Sequence, residues 1–380
     1  MSVDISRPTY PATRFNFRPT ITPLDLIRKD DPLRSNYEKA MQPLTPARRR
    51  AVIDGFLDVL KEQYVDPAVA EDIRIDLEAK MGNGEYDSIH DNEKFSYQLS
   101  HDLVSHEKHM FVLFVEPRPE LNHSDAGPAP QKHLEGLQRM NFGFGTTSLD
   151  TESMPGHTIA TLPINSFIPI DKRYMSDSEE IQAAVGDIMS SVSDADALII
   201  DLRINHGGDP RTVAFIESYL LDNAPLHVLD MVFRNGTVEK SHSTLTIDEL
   251  PAEAKRFGGT KPLFVLTTNN TVSGGEDLAY SLQSFKRAQA IIGEGNDATA
   301  GAANPIKTTR FVAEEIFGKG WWVVGVPNVR PVHAVTGVNW GKVGVKSDVV
   351  AGKGEWAEEK DAMEVARQLA VRALQPDKEL

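Results

Sequence analysis

The chain has 380 residues, 40% of them hydrophobic and 25% charged, with a formal net charge of −15 at pH 7. That balance suits a globular protein of two structural units and argues against a disordered or fibrous one. The acidic surplus, without Lys/Arg-rich runs, speaks against nucleic acid and anionic membranes as partners, and the absence of cysteine excludes disulfides, thiolate metal ligands and thiol nucleophiles.

The opening stretch "MSVDISRPTYPATRFNFRPT" lacks the apolar core of a signal peptide, and no apolar run reaches the length of a membrane span. The expected location is cytoplasmic. Residues 1–45, with scattered Pro and Arg, read as an extended N-terminal arm. Residues 46–120 read as a helical subdomain. Apolar residues recur at helical spacing (Val52, Phe56, Val59, Leu60, Tyr64), a second amphipathic helix runs from Ala68 to Met81, and a third from Asp91 to about Val104. The subdomain ends in the strand-like run "HMFVLFVEP".

A polar, Pro-rich stretch, "RPELNHSDAGPAPQKH", reads as a loop. Residues 135–375 then alternate: strand "HTIATLPI", helix "SEEIQAAVGDIMSSV", strand "DALIIDLRI", helix "DPRTVAFIESYLL". Two further strands follow, then a helix after Ser273, the strand "RAQAIIGEG" and a closing helix "EEKDAMEVARQLAVRAL". Such alternation predicts an α/β layer structure with substantial parallel pairing.

Three places carry residues suited to chemistry. In "TVSGGEDL" Ser273 and Glu276 fit the S-x-x-E capping box at a helix start. The same position favours a nucleophile, because the Gly274 amide and the helix dipole face any negative charge that develops there. In "ALIIDLRINHGGDP" Gly207 and Gly208 place bare amides at the carboxyl end of a buried strand, where open α/β sheets bind ligands. An ordinary turn braced by an Asp201–Arg203 pair is the plainer reading. In "LSHDLVSHEKHMFVLF" the spacing of His101, His106 and His109 differs from the i, i+4 helical pair of a zinc site, so no metal or cofactor is expected. His109, entering a strand, is a candidate general base.

Taken in order and spacing, "YVDP", "FSYQLSHDLVSHEKHMFVLFVEP", "NFGFG", "DADALIIDLRINHGGDPRTVAFIESYLLDNAPLHV", "KPLFVLTTNNTVSGGEDLAYSLQSFKRAQAIIGE" and "VTGVNWGKVGVKSDVV" resemble the C-terminal-processing (tail-specific) serine peptidase family. The likeness runs from about Phe56 to Val350 and is closest to the branch resembling interphotoreceptor retinoid-binding protein. It implies a crotonase-like spiral of β-β-α units preceded by a small helical subdomain. It also implies no PDZ domain, since Phe111 to about Ala160 is too short for one. The family's nucleophile falls on Ser273, with the oxyanion held by the Gly274 amide and an amide of the Gly207–Gly208 turn. The lysine of Ser–Lys members falls on Ala302. The alternative arrangement uses a histidine, matched by His109, and a late glutamate whose place is taken by Gly341. Glu107, Glu294 and Asp297 are the candidate substitutes for that orienting acid.

The expected function is therefore a serine hydrolase acting on a peptide or ester acyl bond. The alternatives are a repurposed relative that binds or transforms an apolar small molecule, with Trp321 and Trp322 as pocket walls or as core packing, and a pseudopeptidase. The expected partner is a peptide or small-molecule substrate, and a homo-oligomer is left open.

Overall fold

The computed structural model describes residues 43–107, 110–114, 130–170, 177–221, 225–294, 311–316, 322–340 and 344–375. Three helices open the chain: α1 (Pro46–Gln63), α2 (Pro67–Gly82) and α3 (Asn92–Leu103). Each start is fixed locally. Thr45 accepts from the Arg48 amide and Asp66 from those of Ala68 and Val69, each followed by a proline in the first helical position, and Asp91 accepts from Lys94.

The buried stripes of these helices (Val52, Phe56, Leu60, Ile73, Leu77, Phe95, Leu99) do not close a core alone. Strand β1 (Phe111–Phe114) and, from far along the chain, strands β9 (Phe311–Ile316) and β10 (Trp322–Pro327) form an antiparallel sheet in the order β1-β10-β9. Trp322, Val324 and Val326 of β10 complete the helical core.

The rest is built on a six-stranded mixed sheet. Its strands are β2 (Ser148–Asp150), β3 (Ile159–Pro163), β4 (Ala197–Asp201), β7 (Leu263–Thr267), β8 (Ala290–Gly293) and β12 (Val349–Val350), in the order β12-β8-β7-β4-β3-β2. All neighbours pair in parallel except the edge strand β2. The central strands β4 and β7 are continuous apolar runs up to their last residue, because both faces are covered. Leu198, Ile200, Leu263, Val265 and Ile291 face one core with helices α5 (Ser178–Ser191), α6 (Pro210–Leu220) and α7 (Gly274–Ser284). Ala197, Ile199, Phe264, Leu266 and Ile292 face the other, under helix α8 (Ala362–Leu374). The period of two along each strand sorts the side chains between the two layers.

A third, antiparallel sheet of β5 (His227–Phe233), β6 (Val238–Ser243) and β11 (Val329–His333) runs in the order β11-β5-β6. It packs near the end of α7, where Tyr280 and Phe285 meet His333 and Trp340. The molecule is thus a mixed α/β fold with a central mixed sheet. The structure differs from the sequence reading in several elements: three strands (β5, β6 and β7) rather than two precede α7, strands β9, β10 and β11 lie between β8 and the closing helix, and helix α4 (Pro130–Arg139) starts inside the stretch expected to be loop. Pro130 suits a first helical position, and Leu137 is buried in the main core with Leu134 packed against it. Only these two apolar positions mark the helix, too few for the 3.6-residue period to stand out. Among the described residues no helix is long and apolar enough to cross a membrane.

Candidate active site

Strand β7 runs into a six-residue turn, 268–273, before α7, and that turn is tied down on every side. Thr268 Oγ1 donates to the Arg203 carbonyl at 2.6 Å and Thr271 Oγ1 to the Leu202 carbonyl at 2.7 Å. The Thr268 amide donates to Thr271 Oγ1 at 3.0 Å, and the Val272 amide to the Asn205 carbonyl at 3.1 Å. The chain thereby reaches Ser273 with φ 57° and ψ −121°, a region that L-residues rarely occupy and that costs about 1–3 kcal/mol. Sharp strand-to-helix turns of this kind expose a serine hydroxyl at the head of a helix. Ser273 is partly exposed, while residues 274–279 behind it are buried. Its amide donates to Glu276 Oε2 at 2.9 Å, which is one arm of the capping box expected from the sequence.

The second turn lies against the first. After β4 the chain passes through Asn205, His206, Gly207 and Gly208 to Asp209, whose side chain caps α6. Gly207 (φ 83°) approaches Ser273 so closely that a Cβ there would overlap the serine Cβ and stand 2.9 Å from its Oγ. A Cβ on Gly274 would lie 2.8 Å from the Phe167 ring and 3.3 Å from the Gly208 nitrogen. Glycine at both positions is what lets the two turns touch. Their amides divide into two kinds. That of Gly207 donates to Asn205 Oδ1 at 2.8 Å. Those of Gly208 and Gly274, among the described residues, have no hydrogen-bond acceptor.

Arg203 braces the carboxyl edge of the sheet behind these turns. Its guanidinium donates to both carboxylate oxygens of Asp201 (3.0 and 2.8 Å) and to Glu294 Oε2 at 3.0 Å. The Asp201 bonds, against the opposing effect of partial burial, hold its pKa above the ordinary guanidinium value. The network joins the ends of β4 and β8 across β7.

The remaining candidates lie in several places. Glu107 is buried and accepts from the Tyr64 hydroxyl at 3.2 Å, and burial together with this carboxylate pushes the Tyr64 phenol well up. Glu294 is engaged by Arg203, as above. Trp322 is fully buried, its ring 5.2 Å from that of Phe114 and 6.1 Å from that of Phe95. His101 stacks on exposed Tyr97, and His106 pairs with Asp76 at 3.2 Å. His109, Asp297, Ala302, Trp321 and Gly341 lie outside the described residues, as does most of the N-terminal arm. Among the described residues no cluster of three or more His, Asp or Glu is arranged to hold a metal ion.

Two features escaped the sequence. Asn205 reaches both turns, and the available signal was an Asn two residues before a glycine, the signature of a side-chain-closed Asx turn. The second is a pair of wholly buried acids on neighbouring helices, Glu217 of α6 and Asp277 of α7. Burial pushes Asp277 up to about 7, and burial plus the nearby Asp277 pushes Glu217 up as well. Neither residue breaks the apolar pattern in a way that marks the pairing.

Residues 158–313 match the family model for peptidase family S41. Among solved structures, the chain is similar to a candidate peptidase from Parabacteroides merdae (14% identity, 87% of this chain and 99% of that chain, TM-score 0.50). It is also similar to a lipoprotein from Streptococcus agalactiae (14% identity, 86% and 96%, TM-score 0.49). A third likeness is to a photosystem II D1 C-terminal processing protease (15% identity, 86% and 98%, TM-score 0.46). At such identities the likeness concerns the fold alone. The stretch that carries the Gly207–Gly208 turn, Ser273 and Gly274 is thus the stretch that matches peptidase family S41.

Proposed function

We propose that the protein is a serine hydrolase with peptidase-like chemistry, acting on a peptide or ester acyl bond. The observation that carries this reading is the conformation of Ser273, held at φ 57° at the head of α7 beside two amides that have no acceptor among the described residues. A serine that only capped a helix would have no need of a strained backbone.

In this reading Ser273 Oγ attacks the acyl carbon and its proton passes to His109. The carbonyl oxygen, now negative, accepts from the amides of Gly208 and Gly274, and the α7 dipole adds to their effect. The proton then moves from His109 to the leaving group. Water, deprotonated in turn by His109, releases the acyl product and restores Ser273. Gly207 contributes proximity rather than a donor, since its amide is already bonded to Asn205. The acid that orients His109 is one of Glu107, Glu294 and Asp297. Glu107 lies two residues away in sequence and is already held in a buried position by Tyr64.

Finer assignments belong to the same proposal: membership of the S41 family as a whole chain, the branch resembling interphotoreceptor retinoid-binding protein, a crotonase-like spiral core and no PDZ domain. So do the division into an arm (1–45), a helical subdomain (46–120) and a core (135–375), and a cytoplasmic location.

The test is covalent labelling with a fluorophosphonate, mapped by mass spectrometry. A stoichiometric adduct on Ser273, lost in Ser273→Ala and slowed at least about 10²-fold in His109→Ala, is the expected result. A folded wild-type protein that forms no adduct would overturn the hydrolase reading in favour of a binder or pseudopeptidase.

A further inference from the structure

We propose that Asn205 is the positioning residue of the anion-binding pair: it selects the Gly208 amide over that of Gly207 and fixes its distance from Gly274. The inference rests on the reading of Ser273 as nucleophile. Asn205 is wholly buried and touches no reacting atom; it acts through the backbone.

Its carboxamide is used at both ends. Oδ1 accepts from the Gly207 amide at 2.8 Å, and Nδ2 donates to the Ile164 carbonyl, just beyond β3, at 2.8 Å. Its main chain is used too: the amide donates to the Leu202 carbonyl at 3.0 Å, and the carbonyl accepts from Val272 at 3.1 Å. One residue therefore joins the end of β3, the glycine turn and the residue before the nucleophile. The contact extends into α7, because a Cβ on Gly275 would lie 2.6 Å from Asn205 Oδ1. By occupying the Gly207 N–H, Asn205 leaves Gly208 as the amide the turn presents toward Gly274. Two donors serve an oxyanion only if their separation is set before the charge develops, and a misplacement of about 1 Å can cost on the order of 10²-fold in rate.

The chemistry required is narrow. One end of the side chain must accept and the other must donate, in a buried site where an unmet group is costly. A carboxylate has the shape of the carboxamide but cannot donate to Ile164. A protonated carboxyl can do both.

This gives a signature that a merely structural residue would lack. Fluorophosphonate labelling rates at Ser273 are to be compared between pH 6 and 9 for wild type, Asn205→Ala and Asn205→Asp. Hydrogen exchange of segments 202–210 and 268–278 is to be followed in the same folded proteins. Asn205→Ala is expected to label about 10²-fold more slowly at every pH and to lose protection in both segments. Asn205→Asp is expected to recover toward wild type as pH falls and to decline relative to it as pH rises, because only its protonated form spans Gly207 and Ile164. Equal labelling of all three proteins, a pH-independent Asn205→Asp ratio, or exchange changes confined to 202–210 would each overturn the proposal. An unlabelled wild type would sink the nucleophile reading, and the exchange of the two segments then decides the role of Asn205 alone. Should both Asn205 variants fail to fold, Gly275→Ala presses on Oδ1 from the α7 side. It is then expected to deprotect segment 202–210, and unchanged exchange there would count against the proposal.

Discussion

Ser273 keeps a left-handed backbone at the cost of about 1–3 kcal/mol, and the surrounding bonds from Thr268, Thr271 and Val272 are what enforce it. Alanine at this position removes the hydroxyl and retains the strain; glycine removes both, at a small entropic cost in the unfolded chain. Ser273→Gly is therefore expected to be more stable than Ser273→Ala by about 1 kcal/mol, measured by urea unfolding. Equal stabilities would mean that the turn relaxes and the conformation is not imposed. Of the candidate site, the turns that hold Ser273 and the glycines were legible, because a helix-start serine and consecutive glycines after a strand are local patterns. Asn205 was not, since its partners Ile164 and Val272 lie on either side of it at long range in sequence. No window of a few residues encodes such bonds.

Among the elements, two sets of buried titratable groups pull stability in opposite directions with pH. On the β11-β5-β6 sheet, burial lowers His242 and His333 from 6.5 to about 4. Both are neutral when folded, whereas the unfolded chain takes up their protons near 6.5. The stability this represents is whole above pH 6.5 and is lost as pH falls toward about 4. Between α6 and α7 the opposite holds. Asp277 is raised from 3.8 to about 7, so its contribution is whole below pH 3.8 and declines as pH rises through 7. Asparagine imitates the protonated acid. Asp277→Asn is expected to gain stability relative to wild type by on the order of 2 kcal/mol more at pH 8 than at pH 5, read from melting temperatures at the two pH values. A gain independent of pH would show that Asp277 is ionised in the fold. At this scale the parallel strands were legible because both-sided burial writes continuous apolar runs such as "ALII" and "LFVL". Helix α4 was not, its apolar face resting on Leu134 and Leu137.

For the whole molecule, the layered α/β architecture followed from the order of elements. The pairing of β1 with β10 did not, because strand register over long separations has no local signature. Phe111 pairs with Gly325 and Phe114 with Trp322, and the helical core depends on that pairing. Trp322→Ala is expected to lower stability by about 3–5 kcal/mol, with the helices of residues 46–103 melting ahead of the central sheet in circular dichroism and exchange. A change confined to strands β9 and β10 would show that the helices hold together without them.

The same pairing has a consequence during synthesis. Helices α1–α3 and the strand "FVLF" leave the ribosome long before β10 exists, with roughly two hundred residues still to be translated. At about 5–20 residues per second, the nascent chain carries an unpaired apolar strand for about 10–40 s. Over that interval a holding chaperone, or the later-emerging α/β layers themselves, must keep it from other chains, so yield in a cell should depend on translation speed between codons 115 and 327.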